Sequence, residues 1–524
     1  MTPTQIDVAI LGGGMAGSLL ARQLSLNLSG HRIDVFERKA AHWHNVGESM
    51  VEIASNHFIR KLGLSSYLYD RQYPKNGLRF FFDSESKQTP LQEMSEIGSA
   101  SIPFFPAFQI DRSRLESDLA LMNRKRGVTH RMGVTVEGLE LGRAGEPHRF
   151  QVVDGEHREE VACRWLVDAT GRTRMIAKLE DLDVPQPEPD NSSVWGWFEG
   201  VSDIDALGPE SFRQRVRYAP RRLSTLHFLY RGYWIWFIPL QEGVTSIGVV
   251  CDNRVFQPEW KTPEGFFAFL RQHAAVASLL EEAKLIGSRA FDHLAYGTRR
   301  FFSPDRWAVV GEASAFPDPF YSPGADFISL GNDFVADLIG RDLGGESQEA
   351  VGERTELYDQ FAQFRYEAVM RLYRDQYSVF GSYEVCKLKW DLDVGCYYNL
   401  WLDAFMRDRH LDAQFLKRQL RQRDFVLTAL SNFAALFRKV DDQLTAQELY
   451  HRANRGQYSD GQDCLGFMKE IGLPRTDKQV LARTAEIFNT VYSRALDLLE
   501  GAEMPVAREP KPLTFFMGSS ALDG

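Results

Sequence analysis

The segment Val8-Ala-Ile-Leu-Gly-Gly-Gly-Met-Ala-Gly17 constrains the fold of this chain more than any other. A β-branched, apolar run over residues 6–11 reads as a buried parallel strand. Gly12, Gly14 and Gly17 then fall at G-x-G-x-x-G spacing before a helical stretch over 18–26. Gly12 permits the tight turn, Gly14 lets phosphate oxygens reach bare backbone, and Gly17 lets the helix pack close to the strand with its first N–H groups facing the anion. A second strand over 32–36 ends at Glu37, about 20 residues beyond the last glycine, where an acid meets ribose hydroxyls. The pattern predicts a dinucleotide-binding βαβ unit; a packed βα turn without a ligand is the plainer alternative.

At 524 residues, 44% of them hydrophobic and 12% aromatic, the chain can bury a large core and divide into subregions. Its net charge of −10, with Lys and Arg scattered, leaves no footprint for a phosphate backbone, so nucleic acid is excluded as an expected partner. No apolar run approaches the roughly 18 residues that span a bilayer, and no charged-then-apolar leader precedes the first strand. A cytoplasmic protein with no membrane partner is expected. Cys163, Cys251, Cys386, Cys396 and Cys464 show neither C-x-x-C spacing nor a nearby His, which predicts packed thiols and no metal site.

Past the first βαβ unit, strands are expected over 78–82, 104–110, 149–153 and 165–169, and a helix over 112–124. A strand-rich stretch over about 190–300 suits a sheet walling a substrate cavity. Long amphipathic helices, such as 353–372 and 411–437, follow. The expected organisation is a body over 1–335, Rossmann-like α/β with a mixed sheet, and a helical region over 336–524 that completes a core, caps a pocket or meets partners. Leu166-Val-Asp-Ala-Thr-Gly171 and Trp307-Ala-Val-Val-Gly-Glu-Ala-Ser314 are both strands ending in turn-forming residues that can lie near a cofactor.

Taken in order, the glycine segment, Glu37 and these two strand ends resemble the FAD fingerprint of the para-hydroxybenzoate hydroxylase-like superfamily. The resemblance implies cofactor contacts from Gly12, Gly14, Gly17, Glu37, Gln109, Arg112, Asp168, Gly311, Glu312 and Gly324. Glu312 stands where that superfamily usually has Asp. Within it, Trp234-Ile-Trp-Phe-Ile-Pro239 matches W-x-W-x-I-P, the signature of flavin-dependent halogenases. Val46-Gly-Glu-Ser49 is similar to their G-E-S segment, and Lys75-Asn-Gly-Leu-Arg-Phe80 to the K-x-G-x-x-F context of their catalytic lysine. The similarity spans about the first 340 residues.

This resemblance implies an enzyme using reduced FAD, supplied by a separate flavin reductase, with dioxygen and chloride or bromide. Hypohalous acid would form inside the protein and pass to an electron-rich aromatic substrate, either free or tethered to a carrier protein. Lys75 and Ser322 are the implied catalytic positions. Lys75 would hydrogen-bond the oxidant or form a haloamine, whereas its plainer reading is a solvated surface charge. Trp234 and Trp236 would line a passage separating flavin from substrate or, equally, pack a strand face, since both fall on one side of the sheet.

Departures from the pattern narrow the expectation. Tyr321-Ser322-Pro323-Gly324 replaces the E-S-T-G of tryptophan halogenases, so the catalytic glutamate is absent and phenol- or pyrrole-directed members are nearer. Halide in the family sits on N–H groups after that serine, and Pro323 has none to give. Asp318 and Asp326 flank the loop as turn acceptors or as a general base. The alternative to halogenation is an FAD-dependent monooxygenase or oxidase acting on a similar aromatic without halide.

Overall fold

The first apolar run lies in the strand Thr4–Leu11, which runs between His157–Asp168 and Ile33–Glu37 and is parallel to both. Trp307–Val309 and Thr129–Met132 extend the parallel set at either side. Strands covered on both faces need continuous apolar sequence, and Val8, Ala9, Ile10 and Leu11 are each at most 1% exposed. Helix Met15–Asn27 packs against Arg112–Arg124 and Gly324–Leu343. The predicted α/β, Rossmann-like class is borne out. The computed structural model describes residues 3–185, 188–463, 466–502 and 504–518.

A second, mixed sheet stands beside the first. Its strands run in the order Lys284–Phe291, Asn191–Glu199, Val244–Asp252, Tyr233–Pro239, Thr225–Tyr230, Leu78–Phe82, Ser95–Gly98 and Tyr458–Asp460. Side chains alternate across it as the two-residue period requires. Trp234 and Trp236 join the main core with Trp195 and Trp197, while Ile235 and Phe237 turn to a second core that includes Phe266 of helix Pro263–Arg271. One face is thereby free to bound a cavity.

Several expected elements change at their edges. The strand expected over 104–110 shrinks to Phe108–Gln109, because Pro103 and Pro106 remove ladder donors. The first helix begins at Met15, three residues before the expected start, since its opening turn is built from the glycine segment itself. The helix expected over 411–437 is two, Ala413–Arg421 and Arg423–Ala446, broken at Gln422. The run Lys417-Arg418-Gln419-Leu420-Arg421-Gln422-Arg423-Asp424 offers a single apolar side chain to hold one continuous helix there. The expected boundary at 335 falls inside Gly324–Leu343, and Tyr458–Asp460 returns from the C-terminal region to pair in parallel with Ser95–Gly98. Four cysteines are buried and unpaired; Cys464 lies outside the described residues. Among the described residues, no helix is long and apolar enough to cross a membrane.

Candidate active site

The glycine turn opens onto a cavity of about 750 Å³, within the usual size of cofactor sites. Gly12 has φ of +102°, and a Cβ there would meet Ala169 O at 2.3 Å; a Cβ on Gly17 would meet Gly12 O at 2.0 Å. Both glycines are demanded by the turn itself. Gly14 differs, since a Cβ there would find only Glu116 Oε1, at 3.9 Å, before the open cavity. Bare backbone at the start of a helix is what a pyrophosphate needs. Glu37 borders the same cavity and accepts N–H from Gly13 and Lys39, each at 2.8 Å, one on each oxygen. Arg112, Gly311, Glu312 and Gly324 also line it, so the residues present fit FAD.

Other expected cofactor residues stand elsewhere. Asp168 does not reach the cavity. Its Oδ1 accepts from Thr170 N and Oγ1, and its Oδ2 from Ile176 N. It thus holds the turn that presents Thr170 and Gly171 to the cavity. Gln109 sits one hydroxyl behind the wall, accepting from Thr225 Oγ1 at 3.1 Å. Glu116 was not anticipated. Its Oε1 accepts Met15 N–H at the start of the first helix, and Arg112 and His42 outweigh the effect of burial to hold its pKa down to about 2.

Lys75 is not a surface charge: it is 3% exposed. It lines a second, smaller cavity of about 170 Å³, while Ser49 lines the larger one. Lys75 Nζ donates to Ser49 Oγ at 2.7 Å and to Met50 O at 2.9 Å, so this bond crosses the partition between them. Ser322, with φ of +58°, donates to the same Ser49 oxygen at 3.0 Å. Ser49 Oγ and Thr225 Oγ1 are 2.9 Å apart. With Lys75 and Ser322 both donating to Ser49, the hydroxyl protons run in one direction, from Lys75 through Ser49 and Thr225 to Gln109. Burial pushes the Lys75 pKa down to about 7, against the pull of Glu52 and Asp326.

Pro323 and Phe327 border both cavities. Trp234 and Trp236, 5.7 Å apart by ring centroids, border only the larger, with Nε1 donors to Tyr377 Oη at 3.4 Å and Ser246 Oγ at 3.3 Å. Asp318 faces the larger cavity, and burial lifts its pKa to about 6 although Tyr377, Phe320 N and Asn191 donate to it. Asp326 faces the smaller one. Burial lifts its pKa to about 7, with Ala54 N and Tyr397 Oη donating to its two oxygens. Glu48 is likewise raised to about 7 by burial, opposed by Ser246 and Trp197.

The rest of the smaller cavity comes from the C-terminal region. Helix Tyr383–Cys396 continues as a π-helical turn, Tyr397–Leu402; the extra residue per turn re-aims side chains, and Tyr397, Tyr398 and Trp401 all face the cavity. Arg365 joins them from Gln348–Arg371. Sequence reasoning missed Arg365, Thr225 and the pairing of Ser49 with Lys75. The G-E-S segment was a signal for Ser49, but nothing local marks Arg365 or Thr225.

Comparisons with known proteins agree with this geometry. The FAD binding domain family matches residues 5–242. Flavin-dependent halogenase chlA of Dictyostelium discoideum is 26% identical over 438 residues, covering 77% of this chain and 71% of that protein. A 1H-pyrrole-2-carbonyl-(peptidyl-carrier protein) chlorinase of Pseudomonas fluorescens is 25% identical over 347 residues, covering 62% and 73%. Among solved structures, halogenase PltM in complex with phloroglucinol and FAD superposes with a TM-score of 0.65 at 17% identity, over 93% of this chain and 99% of that one. Flavin-dependent brominase Bmp2 gives 0.58 at 20%, over 85% and 100%.

Fold and site together define an FAD-binding, flavin-dependent enzyme. Within that class, the relatives to which the chain is similar are flavin-dependent halogenases.

Proposed function

We propose that this protein halogenates an electron-rich aromatic natural-product substrate, a phenol, pyrrole or indole, held in the smaller cavity. The observation that carries the reading is the buried Lys75, which lines that cavity while bonded to Ser49 of the larger one. Reduced FAD, fed by a separate flavin reductase, would supply with dioxygen and chloride or bromide the oxidised halogen. The chain's own residues do the rest. The Gly12–Gly17 turn binds the pyrophosphate, and Trp234 and Trp236 exclude water from the inner end of the larger cavity. Halide would rest at the start of Gly324–Leu343, where Gly324 and Ala325 border the larger cavity and no atom lies within 4 Å of a Gly324 Cβ.

With a pKa of about 7, Lys75 is poised to hold or release a proton at Nζ near neutral pH, the range in which it can hydrogen-bond hypohalous acid or take up the halogen as a free amine. Asp326, also near 7 and lining the same cavity, would accept the proton the ring loses on a lone pair that its two hydrogen bonds leave open. Residues 1–335 would carry cofactor and oxidant, and 336–524 would close the aromatic pocket. The pyrrole-directed relatives, whose names specify a carrier protein, make a tethered substrate one form of this proposal. A halide-free monooxygenase is the second reading, favoured by Pro323 alone. The test is mass spectrometry of phenols, pyrroles and indoles after turnover with reduced FAD, oxygen and chloride or bromide. Halogen gain is expected; gain of oxygen alone overturns the proposal.

A further inference from the structure

The smaller cavity holds a buried guanidinium to which the halogenation reading gives no work. Arg365 is 8% exposed, and its guanidinium carbon lies 3.4 Å from the centroid of the Trp401 indole. Stacking covers a guanidinium face and leaves the N–H edge for hydrogen bonds, yet Nη1 is buried with no acceptor. Three carboxylates share the cavity, and each takes its bonds from groups other than Arg365; Asp393 Oδ2 accepts from Lys389 Nζ at 2.8 Å. Asp326 uses its oxygens for Ala54 N–H and the Tyr397 hydroxyl, and Glu52 takes the Tyr398 hydroxyl at 2.6 Å. Asp326 therefore attracts Arg365 through space without supplying an acceptor. Burial lowers the Arg365 pKa to about 9, which still leaves it charged at neutral pH. A buried cation with an open donor edge is costly until something fills that edge.

We propose that Arg365 is the substrate-anchoring residue of this cavity and that it binds a carboxylate on the aromatic substrate, holding the ring between Arg365 and Lys75. The inference rests on the smaller cavity being the aromatic site. A carboxylate matches the planar donor fork with two parallel bonds. A phosphate monoester suits the site less, because Asp326, Glu52 and Asp393 share a lining that is mostly aromatic and aliphatic, and a hydrated dianion would meet more repulsion and desolvation there than a carboxylate. The substrate would then enter as a free acid, since a carboxyl used to join a carrier protein cannot also meet Arg365.

The test is calorimetric titration of the FAD-loaded protein with 2,4-dihydroxybenzoate and with its neutral amide. The acid is expected to bind roughly tenfold tighter. In Arg365→Met that preference should vanish, in Arg365→Lys part of it should return, and FAD affinity should hold in both. Equal binding of the two probes by the wild type, no binding of either, or a preference that survives Arg365→Met overturns the proposal. Failure of the halogenation reading looks different: acid preference intact, but no halogenated product. Conversely, halogenation of acid and amide with the same KM would sink the anchor and leave halogenation standing.

Discussion

At the scale of single residues, Lys75 is set apart by its environment, buried at 3% exposure and bonded to Ser49, which is why the proposed function gives it the chemistry. Replacement by Met should leave FAD binding intact while halogenated product falls by a factor on the order of 10² to 10⁴; product at the wild-type level would remove Lys75 from the reaction. The same residue should mark the pH dependence of stability. Its folded pKa is about 7 against ~10.4 unfolded, so between those values the unfolded chain binds the extra proton and stability rises with pH. Below about 7 both states are protonated and the burial penalty is constant. Denaturation across pH should therefore show the stability of Lys75→Met relative to wild type greatest near pH 6 and shrinking from about 7 to ~10; a flat difference would mean Lys75 titrates normally. The K-x-G-x-x-F context made Lys75 legible in the sequence. Arg365 was not, because its meaning depends on Trp401 and Asp326, which only the folded chain brings beside it.

Among elements, two helix starts would carry the binding chemistry on the proposed function, and each offers a substitution that tests it. Gly14→Val places a branched side chain where only Glu116 Oε1 stands nearby, so it should fold normally and lose FAD affinity by about a hundredfold, measured by fluorescence titration. Retained affinity would contradict the assigned pyrophosphate position. At the other start, Pro323 has φ −74° and ψ −11°, a conformation Thr adopts without strain. Pro323→Thr adds an N–H donor, and a hydrogen bond to an anion of this strength predicts about a tenfold lower half-saturating halide concentration in steady-state turnover. An unchanged value would place halide elsewhere. Glycine spacing located the first of these elements because it is a local signal, whereas the helix Gly324–Leu343 was not among the expected elements. Sequence periodicity overestimated the strand over 104–110 and fused the helices flanking Gln422, where prolines and a charged run override the apolar pattern.

For the whole molecule, the two regions are stitched together rather than placed side by side. A boundary inside Gly324–Leu343 and a returning strand at Tyr458–Asp460 predict that residues 1–335 expressed alone will aggregate, as read by size-exclusion chromatography. A soluble, FAD-retaining fragment would refute this. Such stitching was illegible in the sequence, since a three-residue strand has no period of its own and owes its pairing to Ser95–Gly98. The fold class was legible because its first strand, turn and helix are contiguous; the aromatic pocket was not, being assembled from segments far apart in the chain. The partition between the cavities is bridged by Lys75, Ser49 and Pro323, and on the proposed function it would act as a sieve. A ring lodged among Tyr397, Tyr398 and Trp401 would be separated from the glycine turn's chamber by the side chains common to both cavities, so only something small would cross. On the proposed function, selectivity between small messenger and bulky recipient would then be set by aperture, independently of how tightly either one binds.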